Sequence, residues 1–266
     1  MTKCTIIGLG EAGAAYAEAL ATAGHQVTGF DPVAPATPPG TARAATAAEA
    51  CQGAEIVLVL TGAAAARAVA KDCLPVLPAG STYADFTSSS PAVMQELGQH
   101  PGEALFADVA ILGPVAALGV RTPLMVSGPG AAAVAQLLTP LGVEVEITDG
   151  GPGAAMSHKL LRSVLMKGLA SVVVEAVTAG RAAGLEGWIR EQIARQLAGD
   201  GHAVVDRLLT GTSKHAVRRS REMQDTANYL AELGVPAEMT AASAAALTRI
   251  ASAPVATSPA PEAALR

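Results

Sequence analysis

The chain has 266 residues, of which about a fifth are alanine, with 27 glycines, 17 prolines, only 3% aromatics and 15% charged residues. Half of it is hydrophobic, so it is too apolar for a disordered chain and long enough to bury a large core as one or two domains. A net charge of −5 without a basic block argues against binding a nucleic-acid backbone, and no stretch of about 18 uncharged apolar residues offers a membrane span.

Met1 to Gly13 does not read as a signal peptide, because its short apolar run breaks at Gly8, Gly10 and Glu11. Cys4, Cys51 and Cys73 form no CxxC pair and read as small buried residues of a reducing, cytoplasmic protein. No metal site is expected. Cores built from such small side chains gain less burial per residue, which points to many packed elements or to dimerisation.

In chain order, residues 3–9 predict a buried strand ending in glycine, 11–23 an alanine-rich helix closed by Gly24, and 26–30 a second strand ending at Asp31-Pro32. A proline-rich loop follows. Residues 54–60 (AEIVLVL) are apolar on both faces, as a central parallel strand must be. A helix at 63–71, a strand at 82–86, a helix from Pro91, and strands at 106–111, 124–127 and 143–147 around a helix at 131–141 complete the alternation. This order predicts an α/β fold with a doubly wound, Rossmann-type parallel sheet over 1–152. Residues 154–183 lack proline and predict one long interdomain helix of about 45 Å. Helices at 187–199, 201–209, 213–233 and 237–251 make an all-α second domain over 153–251. Residues 252–266, with three prolines, read as a disordered tail.

Gly8-Leu9-Gly10-Glu11-Ala12-Gly13 is GxGxxG, placed after the first strand and at the start of the first helix. An acidic residue, Asp31, ends the second strand about 20 residues later, which is the dinucleotide-binding context. Gly8 serves the tight turn, Gly10 lets the backbone approach a pyrophosphate, and Gly13 lets helix and strand pack closely. The helix start offers unpaired N–H groups to the anion. Asp31 would accept from ribose hydroxyls and repel a 2′-phosphate, and Pro32 rather than arginine follows it. The expected cofactor is therefore NAD rather than NADP.

Several further motifs resemble the β-hydroxyacid dehydrogenase superfamily, which includes the 3-hydroxyisobutyrate and 6-phosphogluconate dehydrogenases. Asp85-Phe86-Thr87-Ser88-Ser89-Ser90-Pro91 resembles the family's D-x-S-T-x-x-P beside the nicotinamide ribose. Asp108 to Pro114 (DVAILGP) stands where the family has its substrate loop D-A-P-V-S-G-G, with Leu112 replacing the serine. Gly153 to Lys159 resembles G-x-G-x-x-x-K, with Ala155 for the second glycine, and the family's following x-x-N-N reads Arg162-Ser163 here. LLRSVLMKGL (160–169) and HAVRRSREM (215–223) resemble the subset of phosphogluconate-dehydrogenase-like oxidoreductases with a short helical C-terminal domain.

The resemblance implies roles. Gly8 to Gly13, Asp31, Leu60, Thr61, Gly62, Thr87 and Ser88 would hold the cofactor. Ile111, Leu112, Gly113, Arg162, Ser163, His215, Arg218 and Arg219 would line the substrate site. Lys159 would be the catalytic acid/base. Lys159, Arg162 and Ser163 share a helix face by their i, i+3, i+4 spacing. A lysine suits that role when it gives up its proton more easily than the ordinary value of about 10.4, and partial desolvation beside Arg162 acts in that direction. Arg162 can offer a planar fork to a carboxylate or phosphate.

The plainer readings are a solvated Lys159, a surface His158, packing roles for Met156 and Met166, a core or interface Trp188, and a structural Glu175 paired with a nearby base. Arg218 and Arg219 read equally as a solvated helix face or a dimer ion-pair network. The expected function is NAD(H)-dependent oxidation or reduction of a small acidic 2- or 3-hydroxy acid or its semialdehyde or keto acid. The rivals are an imine reductase-like enzyme, for which aspartate or tyrosine would be usual in place of Lys159, and a non-catalytic NAD-binding sensor or scaffold. The expected partners are a small anionic substrate and a second copy of the chain, joined through the helical domain.

Overall fold

The computed structural model describes residues 1–252. Of the expected tail, Ser252 ends the last helix and 253–266 lie outside the described residues. The chain forms two compact units that divide at Arg162/Ser163.

The first unit is an eight-stranded sheet in the order β3-β2-β1-β4-β5-β6-β7-β8. The strands are β1 (Lys3–Ile7), β2 (Gln26–Phe30), β3 (Thr41–Arg43), β4 (Ile56–Val59), β5 (Thr82–Asp85), β6 (Leu105–Ile111), β7 (Leu124–Ser127) and β8 (Val145–Ile147). Every pair is parallel except β6 with β7. The Rossmann-type sheet read from the sequence is therefore present, with one antiparallel junction that alternation of strands and helices does not reveal. The edge strand β3 and the short helix α2 (Ala47–Cys51) were also not expected. Three residues after a proline-rich loop carry too little periodicity to announce a strand.

Period-2 alternation sends successive side chains to opposite faces, and each face has its own core. On one face Ile7, Val57, Val59, Tyr83, Phe106 and Ala110 meet α2, α3 (Ala66–Cys73) and α4 (Pro91–Gln99). On the other, Ile6, Leu58, Ala84, Ala107 and Val109 meet α1 (Glu11–Thr22) and α6 (Ala131–Leu138). A one-turn helix, α5 (Val115–Leu118), follows β6. The three cysteines are free and buried, as expected.

Helix α7 (Ala154–Ala182) runs from the first unit into the second, and its extent matches the sequence reading within a residue. The second unit adds α8 (Glu186–Leu197), α9 (Gly201–Glu232) and α10 (Glu238–Ser252). The two helices expected at 201–209 and 213–233 are one, with a kink at His215, whose φ of −119° and ψ of 17° leave the helical range. The sequence reading places the break at 210–212. The observed kink lies beyond that gap, and Arg219 Nη1 reaches back across it to Thr212 Oγ1 at 2.9 Å. Among the described residues no helix is long and apolar enough to cross a membrane.

Candidate functional site

The glycine-rich loop sits at the C-terminal end of β1, where the chain order reverses between β2 and β4, the place at which doubly wound sheets bind ligands. Gly8 has φ +93°, and a Cβ there would stand 2.7 Å from the carbonyl oxygen of Leu60. A Cβ on Gly13 would be 1.8 Å from the Gly8 oxygen, so α1 packs on the loop only without a side chain. A Cβ on Gly10 would meet nothing within 4 Å. Gly10 is also the N-cap of α1, and no side chain caps the helix. The first turn thus presents backbone donors to open space in front of Gly10, which fits an approaching pyrophosphate. Leu60, Thr61 and Gly62 follow β4 beside this loop, with Leu60 N–H donating to the Ile7 carbonyl at 2.8 Å.

Asp31 follows β2 and folds its carboxylate back on the loop. Oδ2 accepts from Leu9 N–H at 2.7 Å, and Oδ1 accepts from Val33 and Ala34 N–H at 2.8 and 3.0 Å. Burial alone would raise this carboxyl, but the three N–H groups and the nearby Arg43 charge hold it below the ordinary value. Arg43 was missed in the sequence. It lies twelve residues on, in β3, and its Nη2 donates to the carbonyls of Asp31 and Ala34 at 3.1 and 2.9 Å. Only the β2–β3 pairing brings it there, so no local pattern could have found it.

The start of α7 is locked to the sheet by two polar side chains. Asp108 on β6 is fully buried, and its Oδ2 accepts from Gly153 N–H at 2.9 Å, Met156 N–H at 3.0 Å and Ser127 Oγ at 3.3 Å. Ser127 Oγ in turn accepts from Ala155 N–H at 3.1 Å. Gly153, with φ +97°, turns the chain against the Pro91 carbonyl, where a Cβ would come within 2.7 Å. Ala155 and Met156 fill the core beneath. One turn further along, Lys159 Nζ donates to Ser88 Oγ at 2.7 Å. Ser88 is exposed, in a loop fixed on either side: Thr87 N–H donates to Asp85 Oδ1 at 2.8 Å, and Ser89 shares a 2.8 Å hydrogen bond with Thr87. The structure thus brings Lys159, Thr87 and Ser88 together within the first unit. Asp108 and Ser127 carry the anchoring of the helix. An acid inside an otherwise apolar strand was the available signal for Asp108, although its role was not assigned.

At the expected substrate loop Leu112 is half-buried against the core and its N–H is spent on the Pro123 carbonyl at 2.8 Å. Ile111 packs on the opposite core, and a Cβ on Gly113 would crowd Thr122 at 3.0 Å. Arg162 is exposed on α7. Ser163 Oγ accepts from Lys167 Nζ at 3.5 Å.

His215, Arg218 and Arg219 belong to the second unit. Arg218 pairs with Glu222, and Arg219 clamps the kink as described. Glu175, expected to pair with a base, instead caps α10. Its carboxylate accepts from Met239 and Thr240 N–H at 2.7 and 2.8 Å and from Thr240 Oγ1 at 2.6 Å. Burial would raise it, but these bonds hold it below the ordinary carboxylate value. Met156 is buried, as expected of a packing residue, whereas Met166 and Trp188 are exposed, Trp188 by 60%.

The family model described as the NAD binding domain of 6-phosphogluconate dehydrogenase matches residues 3–147. The chain belongs to this family. Residues 181–250 match a second model, a domain of unknown function (DUF1932). This family's NAD-binding domain and the structural neighbours mark an oxidoreductase fold of the hydroxyacid dehydrogenase kind. A conserved hypothetical protein from Sinorhizobium meliloti 1021 is 27% identical, with a TM-score of 0.61 over 93% of this chain and 88% of its own. The Mycobacterium tuberculosis 3-hydroxyisobutyrate dehydrogenase is similar in fold (21% identity, TM-score 0.67, 94% of each chain). So is the reductive aminase from Aspergillus terreus in complex with NADPH and ethyl levulinate (21%, TM-score 0.76, 94% of this chain and 93% of that one). Among curated proteins nothing matches.

Proposed function

We propose that the protein is an NAD(H)-preferring oxidoreductase of a small acidic 2- or 3-hydroxy acid, or of the corresponding semialdehyde or keto acid. In this reading residues 1–152 bind the cofactor and 153–251 bind substrate and a second copy of the chain. The observation that carries it is the 2.7 Å contact of Lys159 Nζ with Ser88 Oγ, which joins two motifs 71 residues apart.

Bound NAD supplies the hydride acceptor, and NADH the donor. Lys159 takes the substrate hydroxyl proton in oxidation and, as ammonium, donates to the carbonyl oxygen in reduction. Ser88 keeps the amine at the mouth of the loop that would carry the nicotinamide ribose. Arg162 presents its fork to the substrate's carboxylate or phosphate. Of the residues expected to form a second anion anchor, Arg218 holds Glu222 and Arg219 holds Thr212, which supports a structural part for both. Asp31 accepts from the adenosine ribose hydroxyls and repels a 2′-phosphate. Arg43 beside it softens that repulsion, so a preference for NADH rather than exclusion of NADPH is expected.

A second reading, imine reduction, is supported by Leu112. An apolar side chain turned into the core and a committed N–H leave this loop position without a polar group for a hydroxy acid. Turnover of NADH with cyclic imines against a panel of short semialdehydes separates the two. Lys159→Ala is expected to lower kcat by about 10²-fold or more while leaving NADH affinity, read by fluorescence titration, nearly unchanged. Equal loss of both makes Lys159 structural. Tight NADH binding without turnover on any panel, and no effect of Lys159→Ala, makes the protein a sensor or scaffold.

A further inference from the structure

Two acids share a closed site beneath α7. Asp85 and Asp108 are register partners on the adjacent parallel strands β5 and β6. Their neighbours along each strand fix the face. Tyr83 and Phe106, two residues before each acid, stack on one another at 5.8 Å and belong with Ala110 to a single core. Ala84, Ala107 and Val109 belong to the other. The two carboxyl groups therefore leave the sheet on the same side, from strands about 4.8 Å apart. Both residues are fully buried. Each has one oxygen engaged: Asp85 Oδ1 accepts from Thr87 N–H, and Asp108 Oδ2 accepts from Gly153 N–H, Met156 N–H and Ser127 Oγ. Each has one buried oxygen, Asp85 Oδ2 and Asp108 Oδ1, with no hydrogen-bond partner among the described residues.

Two like charges cannot both be kept in so dry a place, and two orphaned acceptors cannot satisfy each other without a donor. A single proton resolves both conditions. We propose that Asp85 and Asp108 form one carboxylic acid–carboxylate pair, in which Asp85 donates the proton from Oδ2 to Oδ1 of Asp108, and that this pair positions the start of α7 and so Lys159.

Asp108 is the member that keeps the charge, because it accepts from three groups and feels the Lys159 ammonium, whereas Asp85 accepts from Thr87 alone; burial still holds the Asp108 carboxyl above the ordinary value. Burial first, and then the Asp108 charge, push the Asp85 carboxyl up to about 6, against the hydrogen bonding of Thr87. The other titratable or charged groups on the elements around the pair are few. Tyr83 precedes Asp85 on β5, and Lys159 of α7 acts on Asp108. Cys73 of α3 and Cys51 of α2 act on Tyr83. Glu96 of α4 is exposed and paired with Arg67. The pair itself stands on the strand register; its part in positioning Lys159 for proton transfer rests on the function proposed above.

The test is a carbon-13 NMR titration of the full chain labelled at aspartate side-chain carboxyls, in the wild type, Asp85→Asn and Asp108→Asn. In the wild type one buried carboxyl should titrate about two units above an ordinary aspartate. In Asp85→Asn the amide replaces the acid as donor to Asp108 Oδ1. That late titration should then vanish, while the Asp108 carboxyl, which ionises beside a neutral donor in both proteins, should move by less than a unit; in Asp108→Asn the late titration should move down, because the charge that held the Asp85 proton is gone. The proposal is overturned if every wild-type aspartate titrates within a unit of 3.9, or if the late titration is unchanged in either Asp85→Asn or Asp108→Asn. The wild-type curve decides alone should the variants not fold.

Positioning is read in kinetics. Asp85→Asn should remove one ionisation from the kcat–pH profile and keep at least tenfold more activity than Asp85→Ala. Equal loss in the two variants, with the profile unmoved, reduces the pair to a packing feature and overturns its positioning role. If no substrate is turned over at all, the titration still stands and it is the function of Lys159 that fails.

Discussion

A methyl group added at Gly13 would stand 1.8 Å from the Gly8 carbonyl oxygen, whereas one added at Gly10 meets nothing within 4 Å. The two glycines of one motif therefore serve different ends, and substitution separates them. Gly13→Ala must move α1 away from the loop. It is expected to destabilise the fold by about 1–3 kcal/mol or more, read as a lower urea midpoint with the slope unchanged. Gly10→Val places its side chain in the open space before the uncapped helix. Its urea midpoint should stay close to that of the wild type while NADH affinity falls at least tenfold. Parallel loss of stability in Gly10→Val would mean that the space in front of the helix is filled by the protein itself. The turn at Gly8 and the close packing at Gly13 were legible in the sequence because they depend on the local path of the chain. The contacts of Lys159 with Ser88, of Asp108 with the α7 start and of Arg43 with Asp31 were not, because they depend on which strands are neighbours.

The starts of α7 and α10 are held by residues far away in the chain, whereas α2, α4 and α9 are capped by their own N-terminal neighbours. Asp200 caps α9 locally, through His202 N–H at 3.0 Å, and such a cap can be read from sequence. Glu175 caps α10 from the middle of α7, 64 residues earlier, and so appeared in the sequence only as an acid in an apolar stretch. Its carboxyl lies below the ordinary value when folded, so its contribution is complete above about pH 4.5 and is lost as the pH falls. Glu175→Ala should cost about 1–2 kcal/mol at pH 7, measured by urea unfolding. Glu175→Gln keeps a carbonyl acceptor and should cost less, and its difference from the wild type should close as the pH drops from 6 to 3. A difference that stays constant with pH would show that the charge plays no part. The long helix α7 itself was legible because proline-free helix formers run unbroken through it. The kink at His215 was not, since no breaker residue stands at the bend, which the Arg219–Thr212 hydrogen bond spans.

On the scale of the whole molecule, the apolar surface left by the helical part sets the last expectation. Leu161 and Val164 on α7 are 72% and 74% exposed, Leu165 is close behind, and Leu208, Leu209 and Val217 on α9 are exposed as well. The second unit also holds an apolar cavity of about 590 Å³, lined by Val172, Trp188, Met223, Tyr229 and Met239. Scattered apolar side chains on a surface are ordinary, but a run of them along one 29-residue helix is not. The first unit buries its alanine-rich helices on both faces of a sheet, whereas the helices of the second have no sheet to lie against. The alternation of strands and helices therefore made the first unit's fold legible, while what covers the exposed apolar face of the second is not written in its own periodicity. A second copy, the partner proposed above, would cover that face, since a two-fold interface pairs such a face with itself. Light scattering behind gel filtration should give a mass twice the 26.5 kDa of the chain, and the thermal midpoint should rise with protein concentration, because association stabilises only the folded state. Val164→Asp with Leu165→Asp should yield a monomer with a lower, concentration-independent midpoint. A wild type that stays monomeric at tens of micromolar, with a midpoint indifferent to concentration, would mean that these side chains face water in the working protein.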